Sequence, residues 1–190
     1  EAILESAFTL FRANGYSDTS MAQIARKARI SPANIYVYFE SKLELLFQIY
    51  GPWLQDRIAR LEAEAAGITD PREKLRLILR TLWVDIPTEE NAFANNLMQA
   101  ISTARPEEGY KRDLLRQLED QVSQMIRGIL PPARAALAER GYLAHVLFMA
   151  FDGFAMNVKL RGPSERIDGI IEVMVTLLLD GTAERRAKPR

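Results

Sequence analysis

The sequence predicts an all-α protein, and three observations support that prediction. Apolar residues recur at helical spacing along nearly the whole 190-residue chain, and no segment shows the alternation of a β-strand. Capping patterns precede several of these segments, such as Ser41 with Glu44 three residues later and Asp70-Pro71. Gly and Pro separate them. We therefore expect about nine or ten helices: an N-terminal three-helix unit followed by a larger helical bundle.

Composition excludes several classes of function. The chain contains no Cys and a single His, so it can form neither disulfides, a thiolate zinc site nor a multi-histidine metal centre. We expect no metal and no cofactor, and the lack of Cys fits a cytoplasmic protein. Lys plus Arg and Asp plus Glu both number 25, so binding to nucleic acid would require a local basic patch. Because Glu1 already lies in a helical pattern, we expect further residues before it.

The motifs of common enzymes and membrane proteins are missing from the sequence. It has no Gly-rich phosphate loop, no Gly-x-Ser-x-Gly and no His-Glu-x-x-His motif. Its carboxylate pairs, such as Glu62/Glu64 and Glu107/Glu108, lie in polar surroundings, which does not favour the raised pKa of a catalytic acid. No apolar segment is long enough and free enough of charge to span a membrane. We expect neither catalytic residues nor a membrane partner.

Residues 19–42 have the dimensions of a helix-turn-helix. Two short helices are joined by a turn of three or four residues, and Ser31-Pro32 opens the second helix. The small Ala25 allows the helices to approach closely, and Ile30 and Ile35 fix the angle between them. This segment contains four basic residues and one acidic residue: Arg26, Lys27, Arg29 and Lys42, with Glu40. Its net positive charge supplies the local patch that a neutral chain needs to bind phosphates.

The run IARKARISPANIYVYFESKLELL resembles the signature of TetR-family transcriptional regulators. The resemblance implies a DNA-binding domain over residues 1–46 and a ligand-binding and dimerisation domain over residues 47–190. It also implies a homodimer that binds a palindromic double-stranded DNA operator as a repressor and is released by a small-molecule effector. Helix 4, Ser41 to Ala66, contacts both domains. We therefore expect it to transmit ligand binding to the spacing of the two recognition helices. Where the family usually has Gly, this chain has Arg29; if the backbone there is left-handed, Arg costs roughly 1 kcal/mol relative to Gly.

The same resemblance assigns the DNA contacts by position. Five residues of a recognition helix spanning Pro32 to Phe39 would face the major groove: Pro32, Ala33, Asn34, Tyr36 and Val37. Ser20, Ser31, Tyr38 and Lys42 would bind phosphates, and Arg29 could add another phosphate contact. Asn34 is as suited to capping the helix as to reading an adenine, and Arg26 and Lys27 could simply form a solvated face. Ile24, Ile35 and Phe39 would be core.

The C-terminal helices offer a candidate pocket and a candidate interface. The pocket would combine large flexible side chains with amides, although each of these could equally be ordinary core: Trp83, Phe93, Asn96, Met98, Gln99, Phe148, Met149 and Met156. Because most of the polar candidates are amides, a neutral, largely apolar ligand is favoured. The helix 142–161 is apolar on two sides, which indicates a dimer interface or a large monomer core. The interface candidates are Leu143, Leu147, Phe154, Ile167, Ile171, Met174 and Leu178.

One other class of function remains compatible with the sequence. An all-α protein-interaction adaptor could use the helix-turn-helix as a scaffold, with Tyr36 and Tyr38 binding a peptide instead of phosphates. Binding to DNA releases counterions and weakens steeply with salt, whereas binding to an apolar peptide does not. The salt dependence of binding therefore separates these two functions.

Overall fold

The computed structural model describes residues 1–89, 91–103, 112–139, 141–162 and 166–180. Over these residues the regular structure is entirely helical, as the sequence predicts. The carboxylate pair Glu107/Glu108 falls outside the described residues. The helices are α1 (Ala2–Asn14), α2 (Met21–Lys27), α3 (Ile35–Tyr38), α4 (Lys42–Ala66), α5 (Pro71–Arg80, extended by Thr81–Asp85 and Ile86–Thr88), α6 (Phe93–Thr103), α7 (Arg112–Arg127), α8 (Pro132–Glu139), α9 (Tyr142–Arg161) and α10 (Ile167–Leu179).

The first three helices pack into a small N-terminal unit. α1 contributes Ala7 and Phe11, which are fully buried and lie on one face because they are four residues apart. Asn14 is the last residue of α1, and Gly15 after it takes a positive φ of 83°. α1 packs against both α2 and α4, so the unit is built directly on the start of the longest helix.

Helix α4 connects this unit to the rest of the molecule without a break. The Ser41 hydroxyl accepts a hydrogen bond from the Glu44 amide at 3.1 Å, which confirms the predicted cap. The Glu44 carboxylate accepts from the Glu40 amide at 2.8 Å, one residue earlier than a standard capping box. Pro52 lies inside α4, and Gly67 ends it. The predicted domain boundary between residues 46 and 47 therefore falls within one continuous helix.

Helix α5 is the centre of the larger bundle. Leu75, Ile78 and Leu79 are fully buried. A π-helical turn over Thr81–Asp85 extends α5 and buries Trp83, whose indole N–H donates to the Leu147 carbonyl of α9 at 3.0 Å. α5 thus contacts α9 through this turn and α10 through its first three turns.

Three ion pairs join α5 to α10 along their exposed edges. Arg80 pairs with Asp168 at 2.8 Å, Arg76 forms a two-atom contact with Glu172, and Arg72 pairs with Asp180. The spacing of four residues along α5 places all three arginines on one face. The hydrogen bond from Arg76 lowers the pKa of the Glu172 carboxyl. The three ion pairs thus line up along the two helices at matching positions.

None of the helices described here is both long and apolar enough to cross a bilayer.

Candidate nucleic-acid interface and ligand cavity

The turn between α2 and α3 is a Schellman motif centred on Arg29. The Ile30 amide donates to the Ala25 carbonyl at 3.0 Å, and the Arg29 amide donates to the Arg26 carbonyl at 3.1 Å. Arg29 has a φ of 59°, so its backbone is left-handed, which is the condition under which Arg costs more than Gly at this position. Its side chain is exposed. The chain therefore places a cation at a turn position that sterically favours Gly.

Two serines that the resemblance assigns to phosphates also cap their own helices. The Ser20 hydroxyl accepts from the Gln23 amide at 3.2 Å, while the Gln23 side-chain oxygen accepts from the Ser20 amide at 2.6 Å. This is a complete capping box, which the sequence analysis did not identify although Ser-x-x-Gln was its signal. The Ser31 hydroxyl accepts from the Asn34 amide at 3.1 Å.

Helix α3 has one buried and one exposed face. Ile35 is fully buried and Phe39 nearly so, as predicted. Tyr36, Val37 and Tyr38 are 57%, 76% and 60% exposed. The candidate recognition residues Pro32, Ala33 and Asn34 are also exposed, and the Asn34 side chain makes no cap hydrogen bond.

The regular part of α3 is shorter than the predicted helix Pro32 to Phe39. Residues 32–34 form turns, in which the Asn34 amide bonds the Ser31 carbonyl three residues back. Helical hydrogen bonding begins only at Ile35. The prediction was too long because Ser-Pro marks the start of a helical turn and not its continuation into an α-helix.

Lys42 is held within the protein, in contrast to its expected role as a phosphate contact. Its ammonium donates to the carbonyls of Tyr16 and Thr19 at 2.6 and 2.8 Å and lies 4.1 Å from the centre of the Tyr16 ring. An ammonium has three N–H donors, so two of them are committed to joining α4 to the α1–α2 loop. Phosphate binding by Lys42 stays a prediction. In the structure this side chain connects α4 to the α1–α2 loop.

The larger bundle contains a cavity of about 350 Å³. Its walls come from α4, α5, α6, α7 and α9 and consist mostly of aliphatic and aromatic side chains. The lining residues are Leu54, Ile58, Leu82, Ile86, Phe93, Leu97, Ile101, Arg116, Leu118, Glu119, His145, Phe148, Met149, Phe151 and Asp152.

Three of the eight predicted pocket residues line this cavity: Phe93, Phe148 and Met149. The other five do not. Trp83 is buried and its indole is hydrogen-bonded to α9, while Met156 is half exposed on the outer surface. Asn96 and Gln99 point to the N-terminal unit. Met98 lies on α6 between this face and the face that lines the cavity. Residue type alone could not show which face of α6 and α9 turns inward.

The polar groups at the cavity are ionisable and not amides, which removes the basis for expecting a neutral ligand. His145 Nδ1 lies 3.3 Å from the Glu119 carboxylate, and Arg116 lies on the same wall. Burial raises the pKa of the Asp152 carboxyl, although part of this side chain remains in contact with solvent. The sequence analysis missed Arg116, Glu119 and Asp152 because nothing in their local sequence distinguishes them from surface charges.

The apolar surface of α9 and α10 is not the one predicted for the dimer interface. Leu147, Ile171 and Leu178 are buried in the core of this chain, so they cannot also contact a partner. The remaining candidates are half-buried against that core, and Phe154 packs on Trp83 with ring centres 4.9 Å apart: Leu143, Phe154, Ile167 and Met174. A different set of large apolar side chains is exposed, which we term the apolar stripe: Tyr142, Val146, Met149, Met156 and Leu160 on α9, with Ile170, Val173 and Leu177 on α10.

Comparison with known proteins gives matches to bacterial regulators. Residues 3–49 match the family described as bacterial regulatory proteins, tetR family. The fatty acid metabolism regulator protein of Bacillus subtilis is 27% identical over 77 residues, which cover 40% of each chain. The transcriptional regulator BetI of Agrobacterium fabrum is 27% identical over all of this chain and 92% of its own length. For three of the matched relatives, including the Bacillus subtilis fatty acid regulator, this chain covers only 32% to 65% of the relative's own length.

Solved structures of the same fold extend the similarity beyond the N-terminal unit. FadR of Thermus thermophilus, a TetR-family repressor in complex with lauroyl-CoA, has a TM-score of 0.65 and 21% identity, with 100% of this chain and 97% of that chain covered. A putative regulator from Saccharomonospora viridis in complex with choline has a TM-score of 0.62 and 24% identity over 92% and 93% of the two chains. These relatives are transcription regulators and not enzymes. The helix-turn-helix at residues 3–49 thus matches that of the tetR family of bacterial regulatory proteins, and the described helices share the fold of solved TetR-family regulators.

Proposed function

We propose that the protein is a sequence-specific DNA-binding repressor whose affinity for its operator is lowered by a small molecule in the cavity. The observation that carries the DNA-binding part is the exposed surface of α3. Tyr36, Val37 and Tyr38 project outward from a helix that Ile35 and Phe39 anchor in the core. Exposed Arg26, Lys27 and Arg29 flank this surface and supply positive charge for phosphates. Such a role places the protein in the cytoplasm with the DNA.

Two copies of the chain would bind one operator. The apolar stripe is the candidate surface, because exposed apolar side chains recur at helical spacing along both α9 and α10. Exposed apolar patches of this extent mark interaction sites in soluble proteins. A dimer formed there would place its two α3 helices in successive major grooves about 34–36 Å apart, on a near-palindromic site. Residues 1–46 would act as the DNA-binding domain and residues 47–190 as the ligand-binding and dimerisation domain.

Selection from a random-sequence DNA pool at two salt concentrations tests this function. We expect a palindromic sequence to be enriched and its affinity to fall as salt rises. Tyr36→Ala should lose the enrichment, and Arg29→Ala should weaken binding and reduce the salt dependence. Arg60→Ala, which removes an exposed cation from α4, is the matched control and should bind as the wild type does. Failure of a folded dimer to enrich any sequence would favour the adaptor function.

For the effector we propose an organic cation with apolar substituents. Three aromatic rings and two carboxylates line the cavity: Phe93, Phe148 and Phe151 with Glu119 and Asp152. Aromatic faces attract quaternary ammonium groups, and a cation beside Asp152 would offset the desolvation of its carboxylate. The choline complex of the Saccharomonospora viridis regulator supports this class. The lauroyl-CoA complex of FadR supports a different one, but the phosphates of CoA need several cations and Arg116 is the sole Lys or Arg among the described lining residues.

Calorimetric titration with three probes tests the effector class. We expect choline and the larger benzyltrimethylammonium to bind, and lauroyl-CoA to bind weakly or not at all. Asp152→Asn should weaken binding of both cations, whereas Asp56→Asn, on the exposed side of α4, should not. Tight binding of lauroyl-CoA that Asp152→Asn leaves unchanged would show that the cavity accepts an acyl chain.

A further inference from the structure

The cavity reaches the surface beside α9. Most of its described lining residues are buried in the core, but five are exposed, and we term these the cavity mouth: Ile101, Arg116, His145, Met149 and Asp152. The three members on α9 follow one another at intervals of four and three residues, so one face of this helix forms an edge of the mouth.

Met149 belongs both to the cavity mouth and to the apolar stripe. Its side chain is 61% exposed. Val146 and Met156 are exposed on the same face of α9, three residues before and seven residues after it. Because Met149 lies between them, a surface that covers both Val146 and Met156 also passes over Met149. The interface proposed for the dimer therefore runs along the edge of the mouth.

Gly153 indicates a close approach by another backbone on this face. It lies inside α9 between Met149 and Met156. A Cβ added to it would meet nothing within 4 Å in the described part of the chain. Gly destabilises the interior of a helix relative to Ala, so a position with free space for a Cβ and no positive φ gains nothing from Gly within a single chain. Contact with a second helix gives the missing Cβ a purpose.

A single chain would leave the proposed effector partly in water. Small-molecule sites bury most of the surface of their ligands. Asp152, the carboxylate proposed to bind the cation, is one of the exposed residues of the mouth. The attraction between an ammonium group and aromatic faces is stronger when both are removed from water. A cover over the mouth would therefore increase the affinity for an organic cation.

We propose that a second copy of the chain, packed on the apolar stripe, covers the cavity mouth at Met149, so that the effector site is complete only in the dimer. A second copy fits because it supplies an apolar surface of the same chemistry along both α9 and α10. The effector then binds the dimer more tightly than the monomer and, by thermodynamic linkage, stabilises the dimer in return. The inference rests on the proposed dimer and the proposed effector class.

A charge placed in the apolar stripe, away from the cavity, tests this dependence. Val173→Asp on α10 should yield a folded monomer, as measured by sedimentation and circular dichroism, because it puts a carboxylate into the interface. Val173 does not line the cavity, yet we expect the affinity for benzyltrimethylammonium, measured by calorimetric titration, to fall about tenfold or more. Ala59→Asp adds the same charge on the exposed side of α4 and is the matched control. It should stay dimeric and bind as the wild type does.

Gly153 offers a second variant that does not endanger the fold. Gly153→Ala favours the helix and has room in the single chain, so it should fold, while the dimer should dissociate more readily and the effector affinity should fall with it. Because the chain contains no Cys, a disulfide formed by oxidising Gly153→Cys can join only two copies. We expect this cross-link to form, and Ala59→Cys to remain uncross-linked.

Oxidation of Met149 gives a readout that needs no effector. Limited treatment with hydrogen peroxide followed by mass spectrometry measures the oxidation rate of each methionine. In the wild-type dimer Met149 should be oxidised several-fold more slowly than in Val173→Asp, because the second copy covers it. Met98 on α6 lies outside the stripe and should be oxidised at the same rate in both proteins.

The outcomes separate this inference from the proposed function. If folded, monomeric Val173→Asp binds the cation as the wild type does and Met149 is oxidised equally in both, the cavity is complete within one chain and the inference is wrong. A wild-type protein that is itself a monomer would overturn both the proposed dimer and the inference. If the wild-type dimer binds no organic cation, the proposed effector class fails, and slower oxidation of Met149 in the dimer would still support a second copy over the mouth.

Discussion

The helix-turn-helix unit and the ligand cavity differ in how far apart their parts lie in the sequence. The unit is built by helices that follow one another within the first fifty residues, and its turns are fixed by bonds between near neighbours such as Ser20 and Gln23. The cavity is enclosed by five helices that contribute residues from Leu54 to Asp152. Local chemistry therefore defines the candidate DNA-binding surface, whereas only tertiary packing defines the candidate ligand cavity.

The largest expected effect contrasts a buried and an exposed residue of α3. Ile35→Ala should lower the free energy of unfolding by about 2–5 kcal/mol and abolish operator binding, because it leaves a hole in the small core. Val37→Ala should leave the thermal midpoint unchanged and weaken operator binding alone. Thermal denaturation and DNA titration of both variants measure the difference. Equal destabilisation by the two would show that the outer face of α3 is packed and not free for DNA.

A smaller effect is expected at the turn of the same unit. Arg29→Gly should be more stable than Arg29→Ala by about 1 kcal/mol, because Ala keeps the left-handed strain and Gly removes it. Chemical denaturation compares the two. Both variants should lose the same amount of operator affinity, since both remove the guanidinium. A difference in affinity without a difference in stability would contradict this separation of backbone and side-chain roles.

On the side of the cavity, Asp152 provides a prediction that depends on pH. Its pKa is raised by burial, so the folded state favours the protonated carboxyl and loses stability as pH rises through that pKa. Asp152→Asn should therefore have a higher thermal midpoint than the wild type near neutral pH, and the difference should shrink in acid. A melting series from pH 4 to 8 without ligand measures it. A constant difference across the series would mean that burial of this carboxylate has no energetic consequence.

The smallest expected effect is at the ion pairs between α5 and α10. The pKa of Glu172 is lowered by Arg76, so this pair stabilises the fold above the usual carboxyl pKa and stops doing so as pH falls through the lowered value. Glu172→Gln should lower the melting midpoint slightly at neutral pH and low salt, because exposed pairs contribute little. The difference should vanish in acid or in high salt. Persistence in high salt would point to packing instead of charge.

The sequence predicted the helices and the N-terminal unit well because their signals are local. Ser41 caps α4 as expected, and Ile24, Ile35 and Phe39 are buried as the family resemblance implies. The cavity and the exposed stripe were predicted poorly, since α9 is apolar on two sides. Periodicity identified both sides but could not decide which one packs against α5, so Leu147 was assigned outward and Met156 inward.

The π-helical turn in α5 has a consequence for the angular register of that helix. An α-helix advances about 100° per residue, and a π turn inserts one extra residue. The side chains beyond Asp85 are therefore rotated by about 100° from the positions that an uninterrupted α-helix would give them. On the two sides of this turn, the same helix pairs Arg72, Arg76 and Arg80 with α10 and places Ile86 at the cavity wall. The number of residues in this turn thus sets the angular position of the side chains that follow it. Removal of a single residue from the turn would rotate all side chains beyond it about the helix axis.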